Sequence, residues 1–177
     1  MKIGIDISQI VYEGTGVSSY VRRMVTALLE LDKKNDYVLF GASLRRSDAF
    51  RRFASSLPRP VRLVTIPVPA TMLDIVWNIL HIAPVEWFIG PVDVFWSSDW
   101  TQPPLTRARA VTTIHDLIAL KYPSETDERI VATHKRRLSW VVRECRAVLC
   151  DSQSTKKDVE QLLKIPRSRL SVVYPGT

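Results

Sequence analysis

Alternation constrains this chain more than any other feature of its sequence. Short runs of Val, Ile, Leu and Phe recur from one end to the other, and most are followed by apolar residues at helical spacing. The strand-like runs cover residues 2–7, 37–41, 61–66, 92–96, 110–114, 147–150 and 171–174. Several are nearly continuous in apolar residues, as strands covered on both faces are. The first helical stretch places Val17, Tyr20, Val21, Met24, Val25, Leu28 and Leu31 on one stripe, with Arg22, Arg23, Thr26 and Glu30 facing away. Residues 127–145 repeat the pattern with Ile130, Val131, His134, Leu138, Val141 and Val142. A third helix is expected over 153–163, capped by the hydroxyls and carboxylate of DSQST, with Pro166 just beyond it. The order predicts an α/β fold: a doubly wound, mainly parallel sheet with helices on both faces, in one domain spanning 1–177.

The middle is less regular. In TMLDIVWNILHIAPVEWFIG, Met72, Ile75, Val76, Ile79 and Leu80 fall on one side of a short helix. The favoured expectation is that this side packs on the sheet. The sharper one is an apolar surface that meets lipid or a lipid-linked substrate, since aromatic and basic residues together suit membrane interfaces.

Composition excludes some classes. The chain has 177 residues, 46% of them hydrophobic and 24% charged, within the range of globular domains. No apolar run approaches the ~20 residues of a membrane helix, and MKIGID lacks the parts of a signal peptide. A cytoplasmic location is expected, with peripheral contact at the inner face of an anionic membrane. Cys145 and Cys150 have no further partners that would make a zinc site, so they are packing residues. The net charge is +7. Six arginines and one acid lie between Arg45 and Arg62, and six basic residues oppose Glu144 between Arg129 and Arg146. Solvated helix faces, an anionic surface or a phosphorylated ligand each account for this. No RNA- or DNA-binding signature is present, so no nucleic-acid partner is expected.

Three places carry candidate chemistry. Gly14, Thr15 and Gly16 join the first strand to the first helix, where bare amides and the helix dipole can meet a phosphate. A plain turn needing positive φ explains the glycines equally well. The pattern is G-x-G-x-x-S, with Ser19 in place of a third glycine, and YVLFGAS ends without a ribose-binding acid, which counts against a dinucleotide fold. No GKS or GKT follows, so there is no P-loop. His115 and Asp116 emerge at the carboxyl end of a buried strand in TTIHDLIALKYP, where an imidazole can bond a substrate hydroxyl or polarise a reacting group. Asp99 and Trp100 open a polar loop in DVFWSSDWTQPPL that suits stacking and hydrogen bonding to carbohydrate. His134 lies on an apolar stripe and is expected as a core histidine; His81 has no evident partner.

In this order the motifs resemble the N-terminal half of the family 4, GT-B-type retaining glycosyltransferases. The likeness runs through KIGIDIS with its glycine loop, SSYVRRMVTALLEL, DVFWSSDWTQPPL, VTTIHDLIALKYP, AVLCDSQSTKKDV and RLSVVYPGT, and covers essentially the whole chain. Trp96 and Ser98 depart from the family's usual "FHSP". The resemblance implies the Rossmann-like, acceptor-side half of an enzyme that moves a hexose from a nucleotide-sugar to a glycan or lipid-linked acceptor, with no metal or other cofactor. Gly14, Thr15 and Gly16 would approach donor phosphates, His115 with Asp116 beside it would contact the transferred sugar, and Asp99 and Trp100 would meet the acceptor. The nucleotide-sugar-binding domain, with its Arg/Lys pair and paired glutamates, is absent from these residues, so they alone are expected to be inactive. Two other readings compete: a stand-alone, non-catalytic glycan- or nucleotide-binding module, and an NAD-linked oxidoreductase, which lacks its third glycine.

Overall fold

A computed structural model describes residues 1–175. Seven strands form one sheet: β1 (Lys2–Asp6), β2 (Asp36–Ala42), β3 (Arg62–Ile66), β4 (Val94–Ser97), β5 (Arg109–Ile114), β6 (Cys145–Cys150) and β7 (Leu170–Val172). Their order is β3-β2-β1-β4-β5-β6-β7, and every pair is parallel. The doubly wound α/β expectation holds. The chain winds outward from β1 through β2 to β3, then returns to lay β4 against the other edge of β1. The winding direction therefore reverses between β1 and β4, and in open parallel sheets that reversal opens a crevice at the carboxyl ends.

The helices are α1 (Gly16–Leu31), α2 (Ser47–Ser55), α3 (Ala70–Leu73), α4 (Glu86–Ile89), α5 (Ile118–Lys121), α6 (Glu128–Glu144) and α7 (Gln153–Leu163). A π-helix, Asp74–Ile79, continues α3. Both faces of the sheet are covered, as the pleat of β2 makes plain. Tyr37 and Leu39 join Val21, Val25, Leu29 and Phe50 of α1 and α2, while Val38 and Phe40 join Leu73, Trp77 and Ile89 on the other face. A further core lies under β5, β6, α6 and α7, around Ile114, Leu138, Val141, Val148 and Val159.

Capping explains where the long helices start. Ser18 N–H donates to Thr15 Oγ1, Arg129 N–H to Asp127 Oδ1 and Thr155 N–H to Ser152 Oγ, each satisfying an orphan amide of a first turn. Lys164 closes α7 in the left-handed region, and Pro166 follows as expected. Cys145 and Cys150 are buried, free, and stand at opposite ends of β6. Five residues along a strand separate them by about 16 Å, far beyond disulfide reach. Gly176 of the expected proline–glycine turn lies outside the described residues.

Two stripes differ from expectation. On α1, Leu29 is buried and Leu31 is 84% exposed, because the helix presents the Val21–Val25–Leu29 row to the sheet and ends as Leu31 turns past it. Around the π-helix the reversal is larger. Met72, Ile75, Ile79 and Leu80 face out, while Leu73 and Trp77 face in. The seating is decided by Trp77, whose indole packs 5.6 Å from Phe40 and donates to Ala83 O, and by Asn78, whose amide bonds Asp74 and Trp100 O. One large aromatic and one satisfied polar side chain outweigh the aliphatic row. Ile82, Phe88 and Trp87, the last 73% exposed, extend the same surface.

Candidate active site

The loops after β1 and β4 flank the reversal, and the loop after β5 lies beside β4. The three sequence candidates therefore share one rim. After β1 the chain makes a 3-10 turn, Ser8–Val11, and reaches Gly14 with φ +83. Gly14 thus owes its identity to the backbone. Gly16 does not: its φ is not positive, and a Cβ built there meets nothing within 4 Å. It opens α1 in open space, where a ligand can come close to the main chain. Thr15 spends its hydroxyl locally, donating to Tyr12 O and accepting from Ser18 N–H. Ser19 N–H starts the helical ladder on Thr15 O, so the amides of Gly16 and Val17 find no acceptor among the described residues. Two bare donors therefore stand on the positive end of a 16-residue helix.

His115 follows the last residue of β5, and its side chain is only 14% exposed. Nδ1 lies 3.4 Å from Asp151 Oδ2 at the end of β6, and Thr155 Oγ1 donates to the His115 carbonyl and to Asp151 Oδ1. The Tyr20 ring meets the imidazole edge-on at 4.8 Å and reaches Trp96 on its other side at 6.4 Å. Tyr20 stands one turn into α1, so the glycine junction and the imidazole are in mechanical contact. Asp116 sits beside His115 in sequence, but its carboxylate is exposed and accepts Ile118 N–H at the start of α5. The histidine's acidic partner is Asp151.

Asp99 and Trp100 follow β4, their loop held by Ser98 Oγ, which accepts the amides of Trp100 and Thr101. The Trp100 indole lies edge-on to His134 at 5.2 Å. His134 is therefore not a satisfied core histidine: it reaches the rim from α6, and burial, then Arg137, push its pKa down while Asp99 and Asp116 pull it back. Behind it Arg137 is 1% exposed, donating to Thr112 Oγ1 at 2.6 Å and Thr113 O at 3.1 Å. Burial lowers its pKa, and Asp99 is the main charge opposing that. Asp99 Oδ1 has no hydrogen-bond partner among the described residues. Asp6, at the end of β1, is buried; its Oδ1 accepts Ser8 N–H at 2.8 Å and its Oδ2 has no partner among the described residues. Burial raises its pKa against the pull of Ser8 and Ser98, and Asp99 adds to the rise.

The structure thus brings His115, Asp99, Trp100 and the glycine junction to one rim, together with Asp6, Tyr20, His134, Arg137 and Asp151, which the sequence did not single out for it. Asp6 and Asp151 each occupy the same kind of position as His115, a carboxyl strand end, which is the signal that could have found them. His81 also gains its partners: Nε2 meets Glu144 Oε1 at 2.7 Å, Nδ1 meets Trp77 O, and the ring stacks on Trp140 at 3.6 Å.

The rim therefore combines a helix start with unpaired amides, a positioned imidazole, an aromatic ring and an incompletely satisfied carboxylate. A family model described as Glycosyltransferase Family 4 matches residues 14–177. No curated protein sequence matches the chain. Among solved structures, a short-chain dehydrogenase from Oenococcus oeni PSU-1 is similar at 9% identity and a TM-score of 0.42, over 99% of this chain and 96% of that one. A likeness that distant carries no argument about chemistry.

Proposed function

Because the chain belongs to glycosyltransferase family 4, we propose that its carboxyl rim is the acceptor-side wall of a sugar-transfer site. A hexose passes from a nucleotide-sugar to a hydroxyl of a glycan or lipid-linked acceptor, with retention at the anomeric carbon and without a metal. The observation that carries the reading is convergence: Gly16, His115 and Trp100 come from three loops onto one rim, with Tyr20 bridging the first two. The amides of Gly16 and Val17 face the leaving phosphates, whose charge grows as the glycosidic bond breaks. His115, held by Asp151 and Tyr20, donates to a hydroxyl of the moving sugar. Trp100 stacks against the acceptor and Asp99 accepts from one of its hydroxyls. A second domain supplies most donor contacts, so residues 1–177 alone bind without turning over.

The outward apolar surface supports a membrane-bound acceptor. Met72, Ile75, Ile79, Leu80 and Ile82 are exposed, and Arg143 lies over Trp140, whose other neighbour is His81 beside Leu80 and Ile82. Apolar side chains with a cation at their margin are the composition of a peripheral membrane face. No described helix is long and apolar enough to cross a membrane.

The test uses the whole gene product, assayed with a panel of nucleotide-sugars and membrane extract. His115→Ala is expected to lower transfer about 10²-fold or more, with acceptor binding retained. Turnover near wild type would remove His115 from the reaction, and no transfer by the wild type with any donor would overturn the reading as a whole.

A further inference from the structure

The arginine-rich stretch between Arg45 and Arg62 is not absorbed by the reading above, and the structure divides it. Arg51 pairs with Asp48 on the exposed side of α2. Arg59 donates to Asn35 O and lies over the Tyr37 ring, and Arg62 donates to Ile89 O. Arg45 and Arg46 are different: they follow the carboxyl end of β2 and so reach the rim. Arg46 Nη1 donates to Val11 O at 2.7 Å, which clamps one edge of its guanidinium to the loop leading to Gly14 and leaves other donors free. Arg45 has no hydrogen-bond or charge partner among the described residues.

We propose that this corner of the rim is an anion subsite that binds a phosphate carried by the acceptor. It rests on the acceptor-side reading and adds the chemical class of the acceptor. The two arginines, with Ser43, Tyr12 and Pro69, line a cleft of about 330 Å³ into which no carboxylate projects. Arginine forks suit phosphate because two parallel N–H bonds match two of its oxygens. α2 begins just beyond Arg46, and its first turn, with Asp48 and Ala49, borders the neighbouring opening. Asp48, in that first turn, has its carboxylate turned to Arg51 at 2.9 Å. Arg45 and Arg46 also border a neighbouring opening, where Glu13 and Asp48 stand with Arg52; the cleft is the side of the pair whose lining carries no acid.

The cleft shares a wall with the proposed reaction site. Tyr12, Ala42 and Ala70 line both it and a narrow crevice bounded by Ser8, Ser98 and Trp100. A phosphate held by Arg45 and Arg46 leaves the attached polyol or sugar pointing toward Trp100. On the far side, Pro69 and Ala70 lead directly to exposed Met72 and Ile75. The ligand is a phosphate ester, either the headgroup of a lipid or a soluble phosphorylated glycan.

The experiment measures binding to purified residues 1–177, without donor or turnover, so that its failure leaves the His115 test untouched. The probes are glycerol 3-phosphate, glycerol, and phosphatidylcholine vesicles with and without phosphatidic acid. The wild type is expected to bind glycerol 3-phosphate or the phosphatidic acid vesicles, and not glycerol. Binding to the vesicles alone identifies a lipid source; binding to both, or to the soluble ester alone, identifies the phosphate itself as sufficient. R45Q/R46Q is expected to weaken binding tenfold or more, and R45Q, which leaves the Val11 clamp intact, to weaken it several-fold with an unchanged melting temperature. K156Q/K157Q on α7 removes the same charge elsewhere and is expected to leave affinity within twofold. An equal loss in the two double variants, or no phosphate binding by the wild type, overturns the proposal.

Discussion

Gly14 and Gly16 look alike in sequence and differ in what they answer to. Gly14 sits at φ +83, where an L side chain is strained, so Gly14→Ala is expected to cost about 1–2 kcal/mol in chemical denaturation. Gly16 has neither strain nor crowding, so Gly16→Ala should stay within about 0.5 kcal/mol of wild type while weakening nucleotide-sugar binding by the whole enzyme. Equal destabilisation by both would return Gly16 to a purely structural role. Asp6 makes a prediction about pH. Its folded pKa is raised by burial, so its neutral form suits the fold; that stability is fully present below the unfolded value of about 4 and is lost as pH rises through the folded value. Asp6→Asn keeps the Ser8 bond and removes the buried charge. It should raise the melting temperature at pH 7, and the gain should shrink toward zero below about pH 4. A gain of the same size at both pH values would show that ionisation is not the cause.

At the scale of elements, the π-helix and its surroundings make the sharpest statement. Exposed aliphatics cost little to replace, so Ile75→Ser with Leu80→Ser should leave stability nearly unchanged, within about 0.5 kcal/mol per site. The same pair should abolish cosedimentation with anionic vesicles, which in the wild type should rise with anionic lipid and fall with salt. Undiminished vesicle binding by the pair, or no dependence on anionic lipid, would remove the membrane contact. This is also where the sequence was least legible. Helical periodicity correctly grouped Met72, Ile75, Ile79 and Leu80 on one side, but periodicity carries no sign. Which side turns inward was settled by Trp77 and Asn78, whose partners, Phe40, Ala83 and Trp100, lie outside the helix. Long, capped elements with one apolar side were easier. β2, α1, α6 and α7 begin and end within a residue or two of where their apolar runs, Asp127 and the DSQST cap indicate. The short helix α2, whose core face is only Ala49, Phe50 and Phe53 among four arginines and serines at its margins, carried too little pattern to be found.

For the whole molecule, alternation sufficed to predict a parallel doubly wound sheet, because few other architectures bury seven apolar runs with helices between them. Strand order is a non-local property and was not visible; with it went the knowledge that β1 and β4 are neighbours. That adjacency brings Asp6 beside Ser98 and places Trp100 across from Tyr12; parallel strands were enough to expect the glycine junction and His115 on one rim, but not these contacts between the β1 and β4 loops. Arg137 illustrates the remainder: on a helical wheel it interrupts an apolar stripe, and only the packed sheet reveals threonines 112 and 113 waiting for it.

The crevice between the loops that leave β1 and β4 is a property of how the chain is wound and not of any side chain that borders it. Loops on either bank can lengthen, shorten or exchange residues while the ladder beneath keeps its pairing. Such a scaffold separates the choice of cargo from the integrity of the frame, so new preferences can arise here by trimming the banks and leaving the bedrock alone.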